Sequence, residues 1–266
     1  MNVVVVVTGA GSGIGRATAE RCIAGGWDVV GLDVDSGGLE GTAGLLGERF
    51  TAVEGDVSQR AAHERAADAA ERAGLLAGWV NNAGIALMGR ADEVREEDLE
   101  RTLAVNLVGT ALGCATAVKR FLAAGSAGSI VNVSSIEAVA AFPRSFSYDA
   151  SKGGIDALTR QVAVEYGALG IRCNAVRPGA IDTPLAKQTA AEVADPEAEW
   201  ASYAALQALG RLGAPDEVAA VIAFLLGPDA SFVTGACWAV DGGAGARCYA
   251  YPPAPELGLR PTGEQR

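Results

Sequence analysis

The stretch Val3-Val4-Val5-Val6-Val7-Thr8-Gly9-Ala10-Gly11-Ser12-Gly13-Ile14-Gly15-Arg16-Ala17-Thr18-Ala19-Glu20-Arg21 decides the fold. Its opening β-branched run has no polar alternation, which is the pattern of a strand buried on both faces of a parallel sheet. The run breaks into a glycine-rich turn and then into residues of helix-forming composition. Strand, glycine turn and helix in that order make a phosphate site. Glycines let a backbone approach closely, and the helix N-terminus offers free N–H groups and the positive end of its dipole. The spacing reads T-G-x-x-x-G-x-G rather than G-x-G-x-x-G.

Outward from this unit, strands are predicted near residues 3–7, 28–33, 50–54, 78–81, 129–134, 172–176 and 236–240. Helices are predicted from about residues 13, 58, 96, 147 and 215. That alternation predicts an α/β fold with a parallel sheet and helices on both faces. Residues 183–210, with Leu185, Trp200 and Tyr203, break the alternation and are expected to lie over the carboxyl edge of the sheet, where open α/β sheets bind ligands. No repeat or linker interrupts residues 1–243, which read as one domain. Residues 244–266 form an extension carrying Pro252, Pro253, Pro255 and Pro261, either loose or docked through Tyr249 and Tyr251 on a neighbouring subunit.

Composition narrows the function. A chain of 266 residues, 50% hydrophobic, suits one large α/β domain with a substantial core. A net charge of −11 disfavours nucleic acid or an anionic membrane as partner. No apolar run reaches the ~20 residues of a membrane helix, and Met1-Asn2 leads straight into the valine strand, so a cytoplasmic protein is expected. The cysteines (Cys22, Cys114, Cys173, Cys237, Cys248) are scattered, with no C-x-x-C pair, so neither a metal site nor a disulfide framework is indicated. The single histidine, His63, lies in a charged helical stretch and is expected to face solvent. Neither a Ser-His-Asp hydrolase nor a multi-histidine metal enzyme fits.

Acid–base chemistry near neutrality then falls to tyrosine or lysine. Tyr148 and Lys152 stand at i and i+4, on one helix face. A free phenol titrates at about 10, and a neighbouring ammonium favours its anion, moving it toward the range of efficient proton transfer.

With these features the chain resembles the short-chain dehydrogenase/reductase family from Val3 to Gly243. The glycine turn comes first, then Asp56-Val57, Asn81-Asn82-Ala83-Gly84, Asn106, Ser135, Tyr148 with Lys152, Pro178-Gly179 and Thr183. The resemblance implies a doubly wound Rossmann fold with seven parallel strands in the order 3-2-1-4-5-6-7. It implies that Tyr148 is the acid/base, that Ser135 donates to the substrate oxygen, and that Lys152 lowers the phenol pKa and binds the nicotinamide ribose. Asn106 would hold a water joining Lys152 to solvent, although an asparagine within a helix could also be polar surface or a back-bonded kink. The cofactor would lie against Gly9, Ser12, Gly13, Ile14 and Gly15, with Asp56 and Val57 at adenine and Asn82, Ala83 and Gly84 behind it. Pro178, Gly179, Ile181 and Thr183 would meet the nicotinamide. Asp56 could instead cap the helix near Ser58, and Pro-Gly could be a plain turn.

Asp33 ends the second strand eighteen residues after Gly15, close to the ~20-residue interval at which a carboxylate reaches the adenosine ribose. It would accept from the ribose hydroxyls of NAD and repel the 2′-phosphate of NADP, with Arg16 the one countervailing charge. NAD is therefore the expected cofactor, unless Asp33 is an ordinary turn aspartate. The expected reaction is hydride transfer between a secondary alcohol and its ketone. Two alternatives stay open, a 3-oxoacyl-carrier-protein reductase and a non-catalytic dinucleotide sensor. By the same resemblance Glu137 and Ser145 flank the substrate together with Ser135 and Tyr148. Glu137 could accept from substrate hydroxyls, point to solvent or pair with Arg144. The resemblance also implies subunit contacts through the helical stretches 96–123 and 147–169 and through the last strand, in a homotetramer.

Overall fold

The computed structural model describes residues 2–247 of the chain. Seven strands form one parallel sheet in the order β3-β2-β1-β4-β5-β6-β7: β1 Val3–Thr8, β2 Asp28–Asp33, β3 Phe50–Glu54, β4 Leu75–Asn81, β5 Gly128–Val133, β6 Ile171–Pro178 and β7 Cys237–Val240. Every pairing is parallel. The helices are α1 Gly13–Ala24, α2 Ser36–Leu46, α3 Arg60–Ala73, α4 Glu96–Leu103, α5 Gly109–Ala124, α6 Phe146–Tyr166, α7 Pro184–Ala191, α8 Pro196–Leu206 and α9 Pro215–Leu226.

The valine run explains the layering. Val4 and Val6 face one core, with Val30, Leu32, Trp79 and Ile130 of the sheet and Ala66, Val118 and Phe121 of the covering helices. Val5 and Val7 face the other, with Val29, Val80, Val131 and the α1 and α9 residues Ala19, Cys22, Ile222 and Leu225. All four central valines have no solvent exposure. Alternate side chains of a strand point to opposite faces, so an unbroken apolar run serves both layers at once.

A buried polar ladder crosses the first core. The indole of Trp79 donates to Asn81 Oδ1 at 2.9 Å, Asn81 Nδ2 to Asn132 Oδ1 at 2.8 Å, and Asn132 Nδ2 to Thr159 Oγ1 at 2.9 Å. Asn81 and Asn132 are register partners on β4 and β5, and Thr159 belongs to α6. On the same helix, Asp156 accepts two bonds from Arg177 of β6, at 2.6 and 2.9 Å. These bonds fix the helix that carries Tyr148 and Lys152 against the sheet.

Several expectations are revised. Helix α2, which is not among the helices predicted by start position, begins in Ser36-Gly37-Gly38, and burial of Leu39 and Thr42 holds it in place. The helix expected from Ser58 begins at Arg60. Residues 183–206 form α7 and α8, each opening on a proline. Between α4 and α5 the helix loosens into a π-turn, Ala104–Val108. The continuous stretch Glu96–Ala124 is long and apolar enough to cross a membrane by length and composition. It starts Glu96-Glu97-Asp98 and packs on β4 and α3. The extension beyond Arg247, with Tyr249, Tyr251 and its prolines, lies outside the described residues.

His63 is the clearest correction. It has no solvent exposure and stacks on Trp79 with ring centroids 6.0 Å apart. Its Nε2 lies 2.7 Å from the Val57 carbonyl, which can only accept, so Nε2 carries the proton and Nδ1 is left buried without a partner. Burial accordingly holds its pKa below the ordinary 6.5. Below that value the unfolded chain binds the proton first, so stability is retained above it and lost as pH falls toward the folded pKa. The loss should run at up to about 1.4 kcal/mol per pH unit within that window. Melting temperatures at pH 7.5 and 5.5 should therefore differ more for the native chain than for His63→Gln; equal differences would remove His63 from this account.

Candidate active site

All the glycine-turn residues gather at the carboxyl edge of β1. Gly9 adopts φ 69°, in the left-handed region, and its N–H donates to the Leu32 carbonyl at 2.7 Å. A Cβ at Gly15 would stand 2.0 Å from the Gly9 carbonyl oxygen, so only glycine allows helix α1 to start there. Ser12 precedes α1 without a side-chain cap, and no acidic residue occupies the first turn. The helix N-terminus therefore keeps donors and dipole for an outside anion, and these residues fit a dinucleotide pyrophosphate. Ile14 packs partly into the core beside this turn, and Gly13 faces the start of α7, where a Cβ would lie 3.3 Å from Thr183 Cγ2.

Asp33 reaches back to this turn. Its Oδ2 accepts from the Gly11 N–H at 2.8 Å and its Oδ1 from the Asp35 N–H at 3.0 Å. The carboxylate is thus both a turn aspartate and a brace for the glycine loop. Arg16 donates to Thr42 Oγ1 at 2.9 Å and to the Gly11 and Gly38 carbonyls, so its charge is engaged in pinning the loop to α2. Asp56 is not the cap of α3. It closes the turn before that helix by accepting from the Ser58 N–H at 2.8 Å, and it pairs with Arg101 at 3.1 Å. Val57 is buried beside it.

Thr8 fastens the fourth strand to the first. Its Oγ1 accepts from the N–H groups of Asn82 and Ala83 at 2.9 and 3.0 Å, while Asn82 Nδ2 donates to the Thr8 and Gly9 carbonyls. Next along, Gly84 is open toward the reaction centre: a Cβ there would lie 3.3 Å from Asn106 Oδ1 and 3.8 Å from Lys152 Nζ. At the far side the Gly179 N–H donates to Val240 at 3.1 Å, and Ile181 is buried against Gly213. Thr183 caps α7, its Oγ1 accepting from the Ala186 N–H at 3.2 Å, which leaves the hydroxyl proton free to donate.

Tyr148 and Lys152 lie on α6 as their spacing predicts. The ammonium is 5.2 Å from the centre of the phenol ring and donates to the Val133 carbonyl at 2.9 Å. The serine pair divides its work. Ser134 donates to the Lys152 carbonyl at 3.2 Å, whereas Ser135 Oγ accepts from the Glu137 N–H at 3.1 Å and stands close enough to the Tyr148 phenol to pull its pKa down. Asn106 is wholly buried within the π-turn, which excludes the polar-surface reading. Its side chain accepts from the Ile85 N–H at 2.9 Å and donates to the Ile85 carbonyl and to Ser151 Oγ. Thr110 back-bonds to its carbonyl at 2.7 Å.

Electrostatics here differ from the expectation that Lys152 depresses the phenol. Burial pushes the Tyr148 pKa well above its ordinary value. The Glu137 and Asp149 carboxyls push it further, and only the Ser135 hydrogen bond pulls it down. Burial lowers Lys152 to about 8, against the pull of Glu137 and Asp156. Glu137 is pushed up to about 7 by burial and by the Asp149 carboxyl beside it, with Ser145 and Lys152 opposing. Among the described residues Glu137 makes no ion pair with Arg144, which adopts φ 68°; its neighbours are Asp149 and Ser145 instead. Asp149 escaped the sequence reading, although it directly follows Tyr148.

Helices α7 and α8 follow β6 in the segment expected to form a lid. Trp200 and Tyr203 have ring centroids 6.1 Å apart, and the Tyr203 hydroxyl lies 3.4 Å from Thr189 Oγ1. Burial raises the Tyr203 phenol, and Glu137 is among the charges acting on it. Leu185 is half-buried in α7. Behind α8, Gln207 donates to the carbonyls of Ala180 and Arg211 at 3.0 and 2.8 Å, and Arg247 donates to that of Ala205 at 2.9 Å. No sequence pattern marks these two anchors.

Comparison with known proteins agrees with this geometry. A family profile described as Enoyl-(Acyl carrier protein) reductase matches residues 9–245. The chain is 43% identical over 244 residues to cis-4-hydroxycyclohexanecarboxylate dehydrogenase of Sinomonas cyclohexanicum, covering 90% of this chain and 95% of that protein. It is 40% identical over 244 residues to 3beta-hydroxysteroid dehydrogenase 1 of Eggerthella lenta, covering 90% and 92%. Among solved structures, levodione reductase superposes with a TM-score of 0.88 at 36% identity, covering 93% of this chain and 98% of that one. With the sheet order, the glycine turn and the Tyr148–Lys152 pair in place, the chain belongs to the short-chain dehydrogenase/reductase family.

Proposed function

We propose that the chain is an NAD-dependent oxidoreductase that interconverts secondary alcohols and ketones, with ring alcohols as the first class to test. The observation that carries this is the convergence of Ser135, Tyr148 and Lys152 on one pocket beside the glycine cradle. The ring-alcohol choice follows the names of two relatives, a hydroxysteroid and a hydroxycyclohexanecarboxylate dehydrogenase.

In this reading the bound dinucleotide supplies the hydride acceptor or donor. Ser135 donates to the substrate oxygen and stabilises charge developing there. Tyr148 takes the hydroxyl proton in oxidation and returns it to the carbonyl oxygen in reduction. Because burial and two carboxyls favour the neutral phenol, the free chain holds Tyr148 ready as an acid. Positive charge brought into the site by a bound oxidised dinucleotide would act against these effects and favour the phenolate. Lys152 turns its ammonium toward the Gly84 side, where the nicotinamide ribose would sit, and Asn106 holds the Ile85 backbone beside it. Gly9, Ser12 to Gly15, Asn82 to Gly84, Asp56, Val57, Pro178, Gly179, Ile181 and Thr183 line the cofactor groove in this assignment. Ser145 and Glu137 border the substrate.

Residues 1–243 would act as one domain in a cytoplasmic homotetramer. Supporting assembly, an apolar groove between α5 and α6 is lined by Leu107, Val108, Ala111, Leu112, Ala157 and Leu158, and Trp238 of β7 is exposed at the sheet edge. Supporting a reducing compartment, Cys22, Cys114, Cys173 and Cys237 are all free thiols.

Tyr148→Phe should lower kcat by at least about 100-fold, the lower range for lost acid–base catalysis, while NADH binding measured by fluorescence persists. Near-normal turnover in that variant would sink the assignment of Tyr148.

Asp33 decides the choice of dinucleotide. Its carboxylate and that of Asp35 lie at the end of β2, and Arg16 is turned into the loop through its Nε and Nη2 donors. A 2′-phosphate would meet negative charge there. Titration should show tighter binding of NADH than NADPH, and Asp33→Ser should narrow or reverse the ratio. Tighter binding of NADPH to the native chain would overturn the NAD assignment.

A further inference from the structure

The pocket holds two carboxyl groups for which proton and hydride transfer have no use. Glu137 lies two residues beyond Ser135 and Asp149 one residue beyond Tyr148, and the charges of both act on the Tyr148 phenol. Glu137 Oε2 and Asp149 Oδ1 are both buried and meet no donor from another side chain or the backbone among the described residues, although a proton shared between the two carboxyls would bridge them. Buried acceptors in folded proteins are almost always met by donors, and the exceptions concentrate at sites that await a ligand. Adjacent carboxyls in such a place resist ionising together, as the rise of Glu137 to about 7 reflects, and a proton held between them still leaves negative charge and free acceptor positions.

The surroundings indicate what fills those positions. Lys152 and Ser145 both act to favour the Glu137 carboxylate, and the Tyr203 phenol of α8 stands in the field of the same carboxyl. One cation already balances the single negative charge, so the unmet need is for neutral donors. An anionic substituent would meet the carboxyls directly.

We propose that Glu137 and Asp149 form an acceptor subsite for a second hydroxyl of the substrate, on a carbon neighbouring the carbinol that Ser135 and Tyr148 engage. This deepens the proposed function and rests on it. The preferred substrates are then neutral diols or polyols, and a carboxylate next to the carbinol is rejected.

The test compares kcat/KM with NAD+ for cyclohexane-1,2-diol and cyclohexanol. The native chain should favour the diol by at least about tenfold, as expected for hydrogen bonds to a charged acceptor. Glu137→Gln and Asp149→Asn should each reduce that ratio to below about threefold, with NADH binding reporting an intact fold. A native ratio near one, or a ratio kept in either variant, overturns the subsite. Better turnover of 2-aminocyclohexanol than of the diol overturns the neutral donor. The native chain decides independently of the variants: 2-hydroxycyclohexanecarboxylate should be a poorer substrate than cyclohexanol, and equal or better turnover overturns the proposal. Turnover of cyclohexanol without any diol preference defeats the subsite alone. Absence of turnover on every alcohol, with NADH still bound, defeats the oxidoreductase reading as well.

Discussion

One hydroxyl joins the two halves of the sheet where the chemistry would take place. Thr8 ends β1, and its oxygen accepts from two successive N–H groups just beyond β4. Strand order reverses at this point: β2 and β3 lie to one side of β1, β4 to β7 to the other. Open α/β sheets form a crevice at such a reversal. The bonds from Thr8 and Asn82 set the width of that crevice, because the same Asn82 amide also holds the Gly9 carbonyl against which Gly15 must fit. The cradle and the sheet are in effect one hydrogen-bonded unit.

From that edge the reacting groups are placed by burial, and burial has an electrostatic cost. Lys152 is 4% exposed and satisfied chiefly by a backbone carbonyl. A buried ammonium disfavours its charged form, and a buried phenol disfavours its anion, so the two groups are pushed toward neutrality together. Glu137 raises both groups, which keeps the lysine charged and the phenol protonated. Proximity of Tyr148 and Lys152 therefore sets geometry first. The proton affinity of the phenol depends on every charge in the pocket.

Short-range patterns carried most of the fold. The valine run, the glycine turn and the i, i+4 pair are each local, and each appears in the structure where the residues predict it. What local patterns could not show is who faces whom across the sheet. His63 sits among charged helical residues, yet its helix turns it inward onto Trp79, a partner sixteen positions away on β4. Asp56 precedes a helix, but the chain takes one more turn before the helix starts, so the carboxylate caps that turn instead. Glu137 and Asp149 are twelve residues apart with no periodic relation, and only the return of the chain from β5 into α6 sets them together. Glycine-poor helix rules also hide α2, whose stability comes from packing Leu39 and Thr42 rather than from propensity.

The segment of α7 and α8, read as a lid, begins on the cradle side of the sheet. It starts at Thr183, beyond the end of β6, where a Cβ on Gly13 would come within 3.3 Å of the Thr183 methyl, and Thr183 caps its first helix. Its second helix sets Tyr203 in the field of Glu137 and ends at Gln207, which is 2% exposed. Gln207 bonds the carbonyl of Ala180, one position past Gly179, while Arg247 binds the last carbonyls of α8 from the end of the described chain. These carbonyls are the ones a helix C-terminus leaves without intrahelical partners, and a guanidinium there satisfies them while complementing the dipole. Both ends of the lid are thus secured to the same sheet edge that presents Pro178 and Gly179. The chain that would touch the nicotinamide and the chain that would cover the substrate are therefore held by one set of bonds.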